Sequence, residues 1–330
     1  MRLEQLRLFL AIAKAGSISA ASRETGLAQP ALSVQMRQLE QSLAVRLFDR
    51  SVHGVRLTEA GQRLLPRADA VLRHAAQVRE EVRNAEGAPS GQVTVALSKS
   101  LVPILAGDLF WQAQHRYPLI ELQITDPSFP DSSRMIETGA VDFGLLPNAL
   151  AMEKVTAEPV LAQDLYLIGP RSELTREAGP RHTERQGGDT KGDEACVEFA
   201  ELRHHRLVMG GPSNQLRIEL ENLAAKAGFA LDIAYEQDAV AVYHEIVRSG
   251  PVSTVVPYST FAHDIESGVL AGRRIVNPTP ERVTCFVWNR ELSNAATTIR
   301  DLMADLILQA IAQGRLRGHA LLSEARPNLR

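Results

Sequence analysis

Two cysteines, Cys196 and Cys285, are too few among 330 residues for a disulfide framework, and neither has a second cysteine or a histidine at metal-ligand spacing. No metal and no cofactor are therefore expected, and the implied compartment is reducing, that is, cytoplasmic. Long apolar runs are missing too. None approaches the roughly 18 residues of a membrane span. Residues 8–13, which follow Glu4 and end at Lys14, are too short for a signal-peptide core, so no membrane partner is expected. Catalytic signatures are scarce. No Gly-x-Ser-x-Gly elbow occurs, and the three glycines within residues 187–192 have neither phosphate-loop spacing nor a preceding strand. The adjacent pair His204-His205 does not face one metal from a helix or a strand. The chain reads as a protein other than an enzyme.

What is present is ordinary globular material, 45 % apolar and 23 % charged, long enough for about two domains. The formal net charge of −3 is a sum of unlike parts. Residues 1–58 carry eight basic and four acidic side chains, residues 59–90 five of each, and the remaining 240 residues a net −7. A basic head on an acidic body is the distribution of a nucleic-acid-binding module joined to a separate soluble domain.

In the head, Leu3, Leu6, Phe9, Leu10 and Ala13 recur at helical spacing up to Gly16. Ser17 reads as the N-cap of a second helix ending at Gly26, and Pro30 opens a third whose apolar face is Leu32, Met36, Leu39 and Leu43. Short helices joined by a glycine turn predict a helix-turn-helix, whose second element enters the DNA major groove. The opposite side of the third helix offers Gln29, Ser33, Val34 and Arg37, types that suit adenine, either base, a thymine methyl and guanine or a phosphate respectively; a merely solvated face is the other reading. Leu47-Phe48-Asp49-Arg50, a turn at His53-Gly54 and Val55-Arg56-Leu57 predict a hairpin wing, with Arg50 and Arg56 in reach of phosphates. Thr58 then caps a helix to about Glu86. Leu64, Ala68, Val71, Ala75, Val78 and Val82 form a heptad seam in it, suited either to pairing two such helices or to packing on the chain's own domain. Residues 87–91, Gly-Ala-Pro-Ser-Gly, form a joint.

The ordered set Phe9, Gly16-Ser17, Ala20-Ala21, Leu27, Gln29-Pro30-Ala31-Leu32-Ser33, Gln35, Leu39-Glu40, Leu47-Phe48-Asp49-Arg50 and Leu57-Thr58-Glu59-Ala60-Gly61 closely resembles the LysR-type transcriptional regulators. Ala28 departs from the Ser or Thr that caps the third helix in many members. The run from Ala28 to Ser33 is similar to the subgroup of nitrogen-assimilation-control regulators. The resemblance implies a homodimer or homotetramer on promoter DNA, with Arg23, Arg50 and Arg56 on phosphates, Gln29, Pro30, Ser33, Val34 and Arg37 at the bases, a small-molecule effector, and RNA polymerase as partner in activation.

Beyond Gly91 strands and helices alternate as βαβαβ, which predicts a parallel sheet covered on both faces, and a second such unit begins near residues 164–168. The expected fold is α/β with an all-α-rich N-terminal head. Residues 1–58 read as a winged helix-turn-helix, 59–90 as a linker helix and hinge, and 91–330 as a two-lobed domain that the family resemblance implies is a periplasmic-binding-protein-like effector domain. Lobe I takes about 91–160 and 266–330, and lobe II about 161–265. Ligands of open α/β sheets bind beyond the carboxyl ends of strands, beside helix N-termini. Those ends supply Ser98, Lys99, Ser100, Thr125, Pro147, Gly211, Ser213, Glu236 and Tyr258 as effector candidates. Ser100 and Ser213 serve equally as helix caps. Lys99 and the helix N-termini favour an organic anion, while Asp126 and Glu236 fit an amine or no ligand. Residues 176–194, dense in charge and glycine, read as a solvated insertion. Two other readings remain: an α/β ligand-binding protein or enzyme with an incidental helical head, and an effector-independent architectural DNA-binding protein.

Overall fold

The computed structural model describes residues 1–51, 54–83, 88–174 and 195–321. His53 of the expected turn, the helix end near Glu86 and the 176–194 insertion lie outside the described residues. The head opens with α1 (Leu3–Ala15), α2 (Ile18–Thr25) and α3 (Gln29–Leu43). Gly16, at φ 65°, ends α1 in the left-handed conformation that a glycine adopts freely, and the Ser17 Oγ accepts from the Ala20 N–H to start α2. α3 begins without a side-chain cap, as alanine at position 28 dictates. Leu6, Phe9 and Ile12 of α1 meet Leu32, Met36 and Leu39 of α3 in a closed core. The antiparallel hairpin β1 (Phe48–Ser51) and β2 (Gly54–Leu57) is held against this core by Phe48 on Phe9 and by the Val55 N–H donating to the Gly16 carbonyl at 2.9 Å. Helix α4 (Glu59–Arg83) then leaves the head.

In the body, β3 (Gly91–Leu97), α5 (Val102–Arg116), β4 (Ile120–Thr125), α6 (Phe129–Thr138) and β5 (Phe143–Pro147) form the expected βαβαβ unit, with β3 parallel to both β4 and β5. Its sheet is apolar on both faces because both are covered. Val93, Val95 and Leu97 pack against Leu105 and Leu109 of α5, whereas Ala96 and Leu146 pack against Ile136 of α6.

Next comes β6 (Thr156–Gly169), 14 residues long. Its first part pairs with β12 (Glu281–Trp288) in lobe I, and its last part with β10 (Thr254–Pro257) and β11 (Ala271–Val276) in lobe II. Between the two arms of this crossing lie α7 (Arg171–Leu174), β7 (Cys196–Glu198), β8 (Arg206–Met209), α8 (Gln215–Lys226), β9 (Asp232–Glu236), α9 (Val240–Ser249) and α10 (Ala262–Glu266). Tyr166, Ile168, Leu207, Leu220, Val247 and Phe261 centre the second core. Helix α11 (Asn294–Ala312) returns over the first sheet, packing Ile299, Met303 and Ile307 on it, and β13 (His319–Ala320) adds to β6 at Ala162 and Leu161.

The first crossing is one continuous strand whose pairing passes from β12 at Asp164 to β10 at Leu165, close to the change expected at about 160. One expectation needs correction. The return expected at about residue 266 comes later, because β11 pairs with the lobe II part of β6 and with β7, so the chain goes back only between Val276 and Glu281. Strand β11, Ala-Gly-Arg-Arg-Ile-Val, lacks the long apolar run of a central strand, because only Ile275 on it is fully buried.

Candidate functional site

Helix α3 presents two unlike faces. Leu32, Met36 and Leu39 are sealed inside, while Gln29, Pro30, Val34 and Arg37 are exposed and Ser33 is half-buried beside them. These five residues form one continuous ridge along the first two turns and the middle of the helix, the pattern that a 3.6-residue period imposes. Arg23 is exposed near the end of α2, and Arg56 on β2. The Arg50 backbone lies on β1; its side chain is outside the described ones. The pose of α3 is fixed by hydrogen bonds to the elements on either side of it. The Arg2 guanidinium donates to Gln35 Oε1 at 2.7 Å and to Gln38 Oε1 at 3.3 Å, clamping the start of α1 to α3. Glu40 Oε1 accepts from the Leu47 and Phe48 N–H groups at 2.8 and 3.3 Å, which ties the end of the ridge helix to the wing. Thr58 Oγ1 donates to the Arg46 carbonyl and accepts from the Gly61 N–H, capping α4 as expected.

The heptad seam of α4 divides. Ala68 is 1 % exposed within the head core and Leu64 packs against the same core, so Ala68 has no surface left for a partner, contrary to the expectation. Val71, Val78 and Val82 remain 41, 44 and 75 % exposed, and Ala75 is half-buried. On another side of α4, Arg73 pairs with Asp69 and donates to the Gly139 carbonyl at 2.6 Å, joining the helix to lobe I. A cavity of about 270 Å³ at this joint is lined by Arg67, Glu137, Glu153, Lys154 and Asn289. None of the effector candidates borders it.

Those candidates fall into two sets. Ser98, Thr125 and Pro147 stand at or just beyond the carboxyl ends of the neighbouring strands β3, β4 and β5, and Ser98 Oγ lies 3.3 Å from Ser100 Oγ. Lys99 sits in the turn that leads to α5, whose N-cap is Leu101, not Ser100. In lobe II, Gly211 and Ser213 follow β8, and Glu236 ends β9 beside it. Asn214 caps α8, leaving Ser213 exposed and without the capping role. Two of these groups are engaged within the protein. The Gly211 N–H donates to Asp238 Oδ1 at 3.0 Å, and Glu236 Oε1 accepts from Arg217 at 2.6 Å, a bond that raises the basicity of that guanidinium further. Glu236 is thereby matched by an internal cation. Tyr258 is buried under the Arg317 guanidinium, 3.9 Å from the ring centroid. Among the described residues no group of three His, Cys, Asp or Glu side chains is placed to hold a metal ion, and no helix is long and apolar enough to cross a membrane.

This ridge on a winged helical head, followed by a two-lobed α/β body, matches two family models. Residues 3–62 match the bacterial regulatory helix-turn-helix protein of the lysR family, and residues 86–188 and 190–307 the LysR substrate binding domain. The chain belongs to the LysR family. It is a DNA-binding transcriptional regulator with a C-terminal effector-binding domain, and family membership places it among regulators, not enzymes. Similar curated proteins include the HTH-type transcriptional regulator CfxR of Cupriavidus necator, 29 % identical with 91 % of this chain and 90 % of that one covered. Another is the uncharacterised HTH-type transcriptional regulator YcgK of Bacillus subtilis, 24 % identical over 92 % of this chain and 94 % of that one. Among solved structures, a full-length OxyR variant from Pseudomonas aeruginosa superposes with a TM-score of 0.66 at 23 % identity, covering 93 and 97 % of the two chains. CbnR in complex with its target DNA gives 0.65 at 22 % identity, covering 94 and 100 %.

In this LysR-type regulator, the ridge on α3 exposes side chains of types that can pair with base edges. The strand ends of the body supply hydroxyls and N–H groups, several already bonded within the protein. Arg2, Arg217 and Asp238 carry no local sequence signature, since each acts through a partner on a different element.

Proposed function

We propose that this regulator acts in the cytoplasm as a homodimer or homotetramer on promoter DNA. Gln29, Ser33, Val34 and Arg37 read base edges in the major groove, and Arg23, Arg50 and Arg56 hold the phosphates. The single observation that carries this reading is the two-faced α3, whose buried Leu32, Met36 and Leu39 force Gln29, Val34 and Arg37 outward as one ridge. Two heads joined through the free part of the α4 seam sit on half-sites about one helical turn, or a multiple of it, apart. A small organic anion held between the lobes favours one lobe arrangement over another and so changes the spacing of the heads, altering contact with RNA polymerase where the regulator activates.

The test begins with selection of binding sites from a random DNA pool by the full-length protein. The expected product is a site with two related half-sites. Affinity equal for all sequences, with equal loss on adding salt, would overturn base readout and leave an architectural protein. On the selected site, Arg37→Ala relaxes discrimination at one base pair by about 1–3 kcal/mol, whereas uniform weakening would reassign Arg37 to a phosphate.

A further inference from the structure

Most half-buried arginines of the body are matched by a carboxylate. Arg217 holds Glu221 and Glu236, Arg274 holds Asp164, Arg290 holds Asp142 and Arg300 holds Asp301. Arg282 differs in having no carboxylate partner among the described residues, and its Nε, like that of Arg274, is sealed from solvent with nothing to accept its proton. The ionisable groups that act on it, the Glu219 carboxylate of α8 and the Tyr243 phenol of α9, do so through space and not through a hydrogen bond, and burial pushes its pKa down to about 10. The Tyr243 hydroxyl is itself paired with Thr254 Oγ1. A cation partly withdrawn from water without a hydrogen-bonded counter-charge costs the protein that carries it some stability. Retaining one makes sense where an anion arrives from outside.

The position of Arg282 suits that role. It stands on β12 directly across from Gln163 on β6, in the short stretch where both strands run between the lobes. Directly opposed side chains share a face of the sheet. On this face Gln163, 1 % exposed, donates to Ser259 Oγ at 3.2 Å. Arg282 therefore belongs by its backbone to the strand pair that links the lobes, and by its electrostatic neighbours to helices α8 and α9 of lobe II. A planar guanidinium with open donors matches two oxygens of one anion and orients it, which an ammonium such as that of Lys99 does not.

We infer that Arg282 is the anchor of the effector site and that the effector is a small organic anion, a carboxylate or a phosphate ester, seated at the crossing of β6 and β12. This rests on the reading of the body as effector-controlled. It moves the anion-binding group from Lys99 and the helix N-termini to a side chain whose ligation bears directly on the link between the lobes.

The experiment uses the full-length protein with four probes at constant ionic strength: succinate, benzoate, glycerol 3-phosphate and inorganic phosphate. Thermal unfolding and titration calorimetry are followed. At least one probe is expected to raise the unfolding temperature saturably, and the set that binds separates the carboxylate from the phosphate source. Arg282→Met and Arg282→Gln lose at least tenfold in affinity for that probe, and Arg282→Lys keeps part of it. Without any probe, Arg282→Met unfolds at the same temperature as wild type or a few degrees higher, because it removes an unmatched buried cation. A purely structural arginine would instead lower it. The inference is overturned if no probe binds, if Arg282→Met binds as wild type does, or if its unfolding temperature falls by several degrees. Affinity for selected DNA, unchanged in all three variants, shows that the head remains intact. If some other, uncharged compound alters DNA binding while the anions do not, effector control stands and the anchor fails; if no compound of either kind alters it, effector control itself fails.

Discussion

At Gly61, in the first turn of α4, a β-carbon would overlap the Leu47 carbonyl oxygen and press on the Leu57 side chain. That carbonyl accepts from the Thr58 N–H, and the Gly61 N–H donates to Thr58 Oγ1, so wing, cap and helix start share one contact zone. Neither side of the contact yields easily, since the obstacle is backbone. Gly61→Ala is therefore expected to destabilise the head by about 1–3 kcal/mol, the usual range for overpacking. Thermal unfolding would register the loss, and an unchanged midpoint would mean that the wing is free to move away. The same zone gives a physical content to the run Leu57-Thr58-Glu59-Ala60-Gly61. Its residues are those that a strand needs to turn into a helix beside another strand within one turn of chain.

At the scale of the element, α4 serves three neighbours along its length. Leu64 and Ala68 face the head, Arg73 and Ala70 meet lobe I at Gly139, and Val71, Val78 and Val82 face solvent. A heptad in sequence records an apolar stripe and does not say which stretch of it is already covered, so Ala68 and Val82 look alike until the chain is folded. The two make opposite predictions. Val78→Glu with Val82→Glu is expected to shift the assembly toward monomer in sedimentation while leaving the unfolding of the head unchanged. Ala68→Leu is expected to lower the stability of the head by about 1–3 kcal/mol through overpacking, with the assembly state kept. The converse pair of results would place the interface on the buried part of the helix. Elements with local punctuation were legible in the same way as the cap motifs: Gly16, Ser17, Gly26 and Pro30 mark α1 to α3, and the alternation of apolar runs marks β3 to β5. Strand β11 and the crossing in β6 were not, because their character comes from strands far away in the chain. The effector candidates share that limit. Strand ends are readable, but whether Glu236 is free for a ligand depends on Arg217, and whether Arg282 has a partner depends on three separate elements.

At the scale of the whole molecule, charge is divided between parts with different tasks. The head and the linker helix carry +4 and zero and the remaining 240 residues −7, so a polyanion is drawn to one end of the molecule and repelled by the other. If two heads bind one site, each basic contact on a head acts twice. The DNA affinity of wild type should fall steeply with salt, because each neutralised phosphate releases counterions with a slope of about −0.9 in log K against log salt. Arg56 is exposed on β2, on the wing and not on the ridge of α3. Arg56→Ala in a dimer removes two phosphate contacts and is expected to flatten that slope by about 1.8, with the order of preference among DNA sequences unchanged. A slope flatter by about half of that would mean that only one head of each pair touches DNA through its wing. No change in slope, with a change in sequence preference, would move Arg56 from the phosphates to the base edges. The salt titration thus measures two things in one series: the role of a single side chain, and the number of heads that the assembled regulator places on its DNA at once.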